Sequence, residues 1–279
     1  MTSLSVRAAL AEARTASVET LDAHLLLATC LEQSRSWLIA HDEALLTPAH
    51  LDRFRSWLAR RAAGEPLAYL FGEKEFHGLV LKVDARVLVP RPDTETLVDW
   101  ALELLQAQAG VPPAGAAPRV IDLGTGSGAI ALAIKHARPH TDVTALDASE
   151  SALTVARANA EALRLDLRLV SGNWWSAVQG ERFDIAVSNP PYIALNDPHL
   201  AALAHEPAIA LTAGIDGLDA LRHIIEHAPA HLRPGGWLLV EHGHDQGLSV
   251  QGLLFQSGFA RVEARCDLAG HWRCTGAQV

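Results

Sequence analysis

Two hydrophobic periodicities divide the chain. Up to about residue 70, apolar residues recur at three- and four-residue steps. Val18, Leu21, Leu25, Ala28 and Leu31 form one stripe, and Leu51, Phe54, Leu58 and Ala62 another, as the buried faces of short amphipathic helices require. Thr47-Pro48 offers an N-cap followed by a first-turn proline, and Gly64 stops the second stripe. A small helical domain over residues 1–72 is expected. From Glu75 to Val89 the pattern changes to extended alternation (Phe76, Leu79, Leu81, Val83, Val87, Val89), split by the turn-prone pairs His77-Gly78 and Asp84-Ala85. This predicts a strand pair, a β-hairpin linker over residues 73–92, before a larger domain over 93–279.

Asp93 to Leu105 returns to helical spacing, and Gln106 to Pro118, rich in Ala, Gly and Pro, reads as a loop. Beyond it short apolar strands alternate with helices. The strands are Val120–Leu123, Val143–Leu146, Leu165–Val170, Ile185–Val187 and Trp237–Val240, and the helices Ser127–His136, Ser151–Leu163, Leu218–Leu232 and Leu248–Phe255. Such alternation implies an α/β fold with a mainly parallel sheet covered on both faces. Ala260–Arg265 and His271–Thr275 lie too close in sequence for a parallel crossover, so the last strand should enter antiparallel.

A length of 279 residues fits two domains at roughly 150 residues each. At 49% apolar, the chain can fill a large core. No run of eighteen uncharged apolar residues occurs and Met1 to Leu10 has no signal-peptide pattern, so a soluble cytoplasmic protein with no membrane association is expected. The net charge of -9 is uneven: residues 1–86 carry 10 basic and 11 acidic side chains, the remainder 13 and 21. An acidic body suits a basic protein partner better than a phosphate backbone, and no direct nucleic-acid binding is expected. Cys30, Cys266 and Cys274 are odd in number and scattered, which fits a reducing compartment. Cys266, His271 and Cys274 lack paired metal-ligand spacing, so no metal is expected.

The richest segment is Val120-Ile121-Asp122-Leu123-Gly124-Thr125-Gly126-Ser127-Gly128, a strand that runs into a glycine turn and then a helix. Glycine lets the backbone approach a ligand with no Cβ in the way. The spacing is GxGxG, without the last glycine of the dinucleotide fingerprint GxGxxG and without a P-loop lysine, which favours a ligand lacking phosphate. Asp147 closes the next strand 25 residues after Asp122, where a carboxylate can accept from both ribose hydroxyls. Adenosine without phosphate, held by an acid and a glycine turn, describes S-adenosylmethionine. The plainer readings are helix packing for Gly128 and a helix cap for Asp147.

The strand Phe183–Val187 ends in Ser188-Asn189-Pro190-Pro191-Tyr192. Ligands of open α/β sheets bind beyond the carboxyl ends of the strands, so this turn should face the methyl donor. A substrate NH2 group can give one hydrogen to the Asn189 side-chain oxygen and the other to the Pro190 carbonyl. An amide nitrogen is a poor nucleophile, and two acceptors would orient it and stabilise the charge that grows on it. Tyr192 would wall the pocket and stack on a flat group.

The glycine loop, Asp147 and their strand contexts resemble the class I methyltransferases, which implies a Rossmann-like, seven-stranded sheet with an antiparallel last strand. An Asn-Pro-Pro-Tyr turn is similar to that of adenine N6-methyltransferases and of protein glutamine N5-methyltransferases. Val87-Leu88-Val89-Pro90-Arg91-Pro92-Asp93-Thr94-Glu95, Glu65-Pro66-Leu67-Ala68-Tyr69, Gly72-Glu73-Lys74-Glu75-Phe76, Gly214-Ile215-Asp216-Gly217-Leu218 and Glu241-His242-Gly243 resemble the release factor glutamine methyltransferases over almost the whole chain. A sister family acting on a ribosomal protein glutamine usually differs after the Pro-Arg pair. The resemblance implies methyl transfer from S-adenosylmethionine, leaving S-adenosylhomocysteine, to the glutamine of the Gly-Gly-Gln loop in class 1 peptide-chain release factors. It implies cofactor contacts from Gly124, Thr125, Gly126, Ser127, Gly128, Asp147, Asn173 and Trp174, and glutamine contacts from Asn189, Pro190, Pro191 and Tyr192, with Asn189 also beside the cofactor. Arg91 reads either as closing the site around the cofactor or as a structural ion pair. Asn173 departs from the usual Asp, which changes a hydrogen bond to adenine, and Glu206-Pro207 matches without a chemical role. The alternatives are a nucleic-acid adenine methyltransferase, for which residues 1–86 offer no basic surface, and a noncatalytic cofactor-binding regulator, which would not need the Asn189 clamp.

Overall fold

The computed structural model describes residues 4–107 and 117–279. The chain divides into two compact units between Glu73 and Lys74. The first is helical: α1 (Val6–Thr15), α2 (Thr20–Leu31), α3 (Arg35–Ala40), α4 (Pro48–Ala62) and α5 (Leu67–Phe71). Thr47 caps α4 by accepting the His50 N–H at 3.2 Å, with Pro48 in the first turn, a contact of about 1 kcal/mol. Val6, Leu26, Leu27, Leu38, Phe54 and Trp57 build a core confined to this unit. The predicted face of α2 is corrected: Leu21 is exposed, and Ala23, Leu26, Leu27, Ala28 and Cys30 turn inward. Consecutive leucines from 25 to 27 surround this helix with apolar side chains, so its spacing does not fix a face. In α4 likewise Ala62 is exposed and Trp57 is buried in the stripe.

A hairpin of β1 (Glu73–Phe76) and β2 (Leu79–Lys82) opens at the boundary, with all but Glu73 in the second unit, joined by His77 and Gly78, both at positive φ as a tight hairpin turn requires. The predicted alternation over Val83 to Val89 does not form a strand. Val83, Val87 and Val89 are buried, but the Val89 N–H is given to the Glu206 carboxylate at 2.9 Å, not to a sheet neighbour. A 3-10 turn at Pro92–Thr94 leads into α6 (Glu95–Ala107), so Gln106 and Ala107 close a helix, and residues 108–116 of the loop expected there lie outside the described residues.

The body then alternates β3 (Arg119–Leu123), α7 (Ala129–Ala137), β4 (Asp142–Asp147), α8 (Glu150–Leu163), β5 (Arg168–Ser171), β6 (Phe183–Ser188), α9 (Asp219–His231), β7 (Leu232–Glu241), α10 (Gly247–Gln256), β8 (Arg261–Cys266) and β9 (Trp272–Gln278). The seven strands β3 to β9 form one sheet in the order β5-β4-β3-β6-β7-β9-β8. All neighbours are parallel except β9, which pairs antiparallel with β7 on one side and β8 on the other. The antiparallel last strand is therefore inserted one place in from the edge. One apolar layer packs α6 and α7 on the sheet through Trp100, Leu132 and Ile134, and the opposite layer packs α9 and α10 through Leu221, Ile224 and Leu254. The order reverses at β3 and β6, so the carboxyl ends of these strands open a crevice there.

Candidate active site

A cavity of about 440 Å³ lies at that crevice, within the second unit. Its floor is the loop after β3. The N–H groups of Gly124 and Thr125 both donate to the Leu146 carbonyl, at 2.8 and 2.9 Å, which ties the glycine turn to the end of β4. Asp147 follows Leu146 directly, and its Oδ2 accepts the Gly126 N–H at 2.8 Å while Oδ1 accepts the Ser149 N–H at 2.8 Å. The aspartate thus shapes the turn and caps the approach to α8 while still facing the cavity. Burial is the largest influence on its carboxyl and pushes the pKa up against these N–H contacts.

Gly124, Gly126, Asp147, Asn173, Trp174, Asn189 and Pro191 line the cavity, and so do Arg86, Val87 and Leu88 from the segment after β2. The Trp174 ring covers Gly124, where a Cβ would lie 3.4 Å from Cζ3. Thr125, Ser127 and Gly128 stand behind the wall. Thr125 donates to Asp122 Oδ2 at 2.6 Å, and the Ser127 carbonyl accepts from Asn159 Nδ2 at 2.9 Å. Gly128, at φ +84, fits under α8, where a Cβ would meet Ala156 Cβ at 3.3 Å, so the packing reading accounts for it. Arg91 is also turned away from the lining and ion-pairs with Glu206, whose side chain is almost fully buried.

Asn189, Pro190, Pro191 and Tyr192 leave β6 at the cavity mouth. Asn189 donates from Nδ2 to Thr94 Oγ at 3.0 Å, and Tyr192 donates from its hydroxyl to Glu241 Oε1 at 3.2 Å. Pro190 is buried and, like Tyr192, is set back from the cavity lining. The turn rests on the Gly214 to Leu218 segment. Gln246 Nε2 donates to the Tyr192 carbonyl at 3.0 Å, and a Cβ on Gly217, at φ +75, would lie 2.3 Å from that same oxygen. Only glycine admits this approach.

Sequence reasoning gave no role to several residues now at the site. Glu241, at the end of β7, is 1% exposed with its Oε2 unpartnered, and burial pushes its carboxyl up to about 7 against the hydrogen bond that Oε1 accepts from Tyr192. Asp122 is fully buried with Oδ1 unpartnered, and burial likewise pushes it up to about 7. Thr94 and Glu206 emerge as partners of Asn189 and Arg91. Their signal was present in the Pro-Asp-Thr-Glu, Glu-Pro and Glu-His-Gly matches, but which residues they meet is a property of the fold. Among the described residues no group of three or more His, Cys, Asp or Glu could hold a metal ion.

Two family models match the chain: the methyltransferase small domain over residues 95–267 and the PrmC N-terminal domain over residues 5–72. The release factor glutamine methyltransferase of Xylella fastidiosa is 47% identical over 270 residues, which span 96% of both chains. That of Bordetella pertussis is 48% identical over 262 residues, spanning 93% of this chain and 94% of the relative. Among solved structures, the N-terminal domain of human METTL16 in complex with SAH shares the fold, with a TM-score of 0.54 at 19% identity over 80% of this chain and 83% of that one. A mainly parallel sheet with one antiparallel strand, a glycine loop facing an Asn-Pro-Pro-Tyr turn across one cavity, and near-half identity over the full length place this chain in the release factor glutamine methyltransferase family.

Proposed function

We propose that this chain is a cytoplasmic enzyme that transfers a methyl group from S-adenosylmethionine to the side-chain amide nitrogen of the glutamine in the Gly-Gly-Gln loop of a class 1 peptide-chain release factor. The observation that carries the reading is the Asn189 side chain, which gives its NH2 to Thr94 on one side and lines the cavity shared with Asp147 on the other. With its donor engaged, the Asn189 oxygen remains to accept from an incoming NH2 group.

The cavity suits an adenosine with no phosphate. Among the described residues its one lining arginine, Arg86, is already bound to Asp84 at 2.6 Å through the guanidinium, and no lysine lines the wall. Asp147 supplies the acceptor for the ribose, Trp174 a flat apolar face, and Gly124 and Gly126 a backbone that a ligand can approach. Asn173 takes the adenine edge. Bound there, S-adenosylmethionine supplies an electrophilic methyl group on a sulfonium. Asn189 and the Pro190 carbonyl accept hydrogen bonds from the two N–H groups of the substrate amide, which aligns the nitrogen and offsets its developing positive charge, and one N–H proton is lost to solvent once the C–N bond has formed. Pro191 holds the turn rigid at the cavity wall, and Tyr192, set back behind the lining, braces the turn through its hydrogen bond to Glu241. The experiment that tests the reading is mass spectrometry of a release factor incubated with this protein and the methyl donor. One added methyl on the loop glutamine is expected, and none, or a methyl elsewhere, would overturn it.

A further inference from the structure

Pro190 and Pro191 have no N–H, so neither can donate a main-chain hydrogen bond to hold the turn that offers the Asn189 oxygen and the Pro190 carbonyl to a substrate. The turn must be fixed from outside. At its start Asn189 gives Nδ2 to Thr94 at 3.0 Å. At its end the Tyr192 carbonyl accepts from Gln246 Nε2 at 3.0 Å. Beyond it Ile193 gives its N–H to the Leu211 carbonyl and accepts from the Ala213 N–H, at 2.9 and 3.0 Å, so the chain returns beside the turn.

Gln246 stands just before α10, 54 positions from Tyr192, and its amide meets three separate segments. Nε2 also donates to the Asp216 carbonyl on the returning chain at 3.4 Å, and Oε1 accepts the Gly243 N–H after β7 at 2.8 Å. The two ends of an amide have nearly the same shape, but here the partners decide between them. Carbonyls only accept and an N–H only donates, so the NH2 end must face Tyr192 and Asp216 and the oxygen must face Gly243. The amide lies in a slot made by two glycines. A Cβ on Gly217 would stand 2.9 Å from Nε2, and one on Gly243 would stand 3.1 Å from Oε1.

We infer that Gln246 is a positioning residue for methyl transfer, a single side-chain amide that fixes the far end of the acceptor turn by tying the Tyr192 carbonyl to the main chain at Asp216 and Gly243. This inference rests on the proposed reaction and adds to it the group that holds its acceptors in place. Gln246 is set back from the cavity lining, so its part is played through the turn. Losing it should leave the cofactor wall of Gly124, Gly126 and Asp147 as it is. The Pro190 carbonyl and Asn189, no longer held at the Tyr192 end, should drift from the line of the incoming N–H groups, and a misplacement of about 1 Å is enough to cost about a hundredfold in rate.

The test compares wild type with Gln246→Leu and Gln246→Glu in single turnovers, with S-adenosylmethionine and a release factor both saturating. Leucine removes both ends of the amide. Glutamate keeps the size and the acceptor for Gly243 but sets a second oxygen against the Tyr192 and Asp216 carbonyls, and it carries the test should the leucine variant fail to fold. Each folded variant should slow methyl transfer by about tenfold to a hundredfold, with cofactor affinity within about twofold of wild type. A wild-type rate overturns the inference, and so does a loss of cofactor affinity as large as the loss of rate. A second readout needs no substrate. The chain has two tyrosines, Tyr69 and Tyr192, so protein grown with 3-fluorotyrosine gives two fluorine NMR signals, which Tyr69→Phe assigns. The Tyr192 signal should shift or broaden in the Gln246 variants while the Tyr69 signal holds still. A Tyr192 signal that ignores the substitutions overturns the inference whatever the rates. Wild-type protein that adds no methyl to glutamine, alongside variants whose Tyr192 signal moves, supports the brace and overturns the proposed reaction alone.

Discussion

Arg91 and Glu206 stand 115 positions apart in the sequence and are joined by a direct ion pair in which the carboxylate also receives the Val89 N–H at 2.9 Å. The pair fastens the segment carrying Val87 and Leu88 to the one carrying Pro207 and Ile209, two facing parts of the cavity lining. Removing Arg91 strands a buried charge. Arg91→Ala should lower stability by about 1–3 kcal/mol, the guanidinium end being partly exposed, and adding Glu206→Gln should restore part of the loss. Urea unfolding of the two single variants and the double variant checks this. Strictly additive losses would show that the pair is not coupled.

At the cofactor side, Asp147→Ala should weaken S-adenosylmethionine binding by about 1–3 kcal/mol. It removes the ribose acceptor and also frees the Gly126 and Ser149 N–H groups. Asp147→Asn keeps one acceptor and should fall in between. Calorimetry giving wild-type affinity for the alanine variant would reduce Asp147 to a cap of α8.

Asn189→Ala should slow methyl transfer by about a hundredfold or more, with a far smaller change in cofactor affinity. Asn189→Asp keeps an acceptor of the same size but loses the donor to Thr94 and adds charge near buried Glu241. It should be as poor as alanine. A near-normal single-turnover rate for the alanine variant would remove the amide clamp from the mechanism.

The helical unit and the sheet unit each enclose their own apolar core, from Val6 to Leu70 in one and from Phe76 to Ala277 in the other. Deleting residues 1–72 should leave cofactor binding intact and sharply reduce turnover of a full-length release factor. Equal turnover by the truncated and intact proteins would deny the helical unit any part in choosing the partner.

Stability should also depend on pH through Asp122. Its folded pKa is about 7, raised above an unfolded value of about 3.9. A raised group contributes fully below its unfolded value and loses that contribution as pH rises through the folded one, so this term falls between about pH 4 and 7. Glu241, also at about 7, adds the same sign, while buried His242, with its pKa lowered by burial, opposes it. Asp122→Asn should therefore shrink the loss of urea resistance between pH 5 and 8 relative to wild type. An unchanged difference would show that Asp122 keeps an ordinary pKa.

The sheet was legible because its strands are short apolar runs separated by helices and glycine turns, and the short Ala260 to Thr275 interval carried the antiparallel ending. What sequence did not carry was phase and partnership. The α2 helix is apolar on too many sides for spacing to choose Leu26 over Leu21, and Val83 to Val89 alternates like a strand although its N–H groups have other uses. The cavity residues split in the same way. Gly124, Gly126, Asp147 and Asn189 declare themselves through chemistry at a strand end. Thr94, Glu206 and Glu241 act by meeting residues about 50 to 115 positions away, a distance that no local pattern spans.

The close seat of Gly217 beneath the Tyr192 carbonyl bears on how this pocket can diversify. The rear of the acceptor turn is closed by the Gly217 main chain and the Gln246 amide, both against the Tyr192 carbonyl, so position 217 has no room for a side chain. Variation that retunes the choice of acceptor must come from the front, where Ile209, Ala210 and Thr212 face the cavity with side chains free to change. A mutational library across residues 207–217 should therefore sort into a permissive front and a frozen back, and the boundary between them should fall near Gly214.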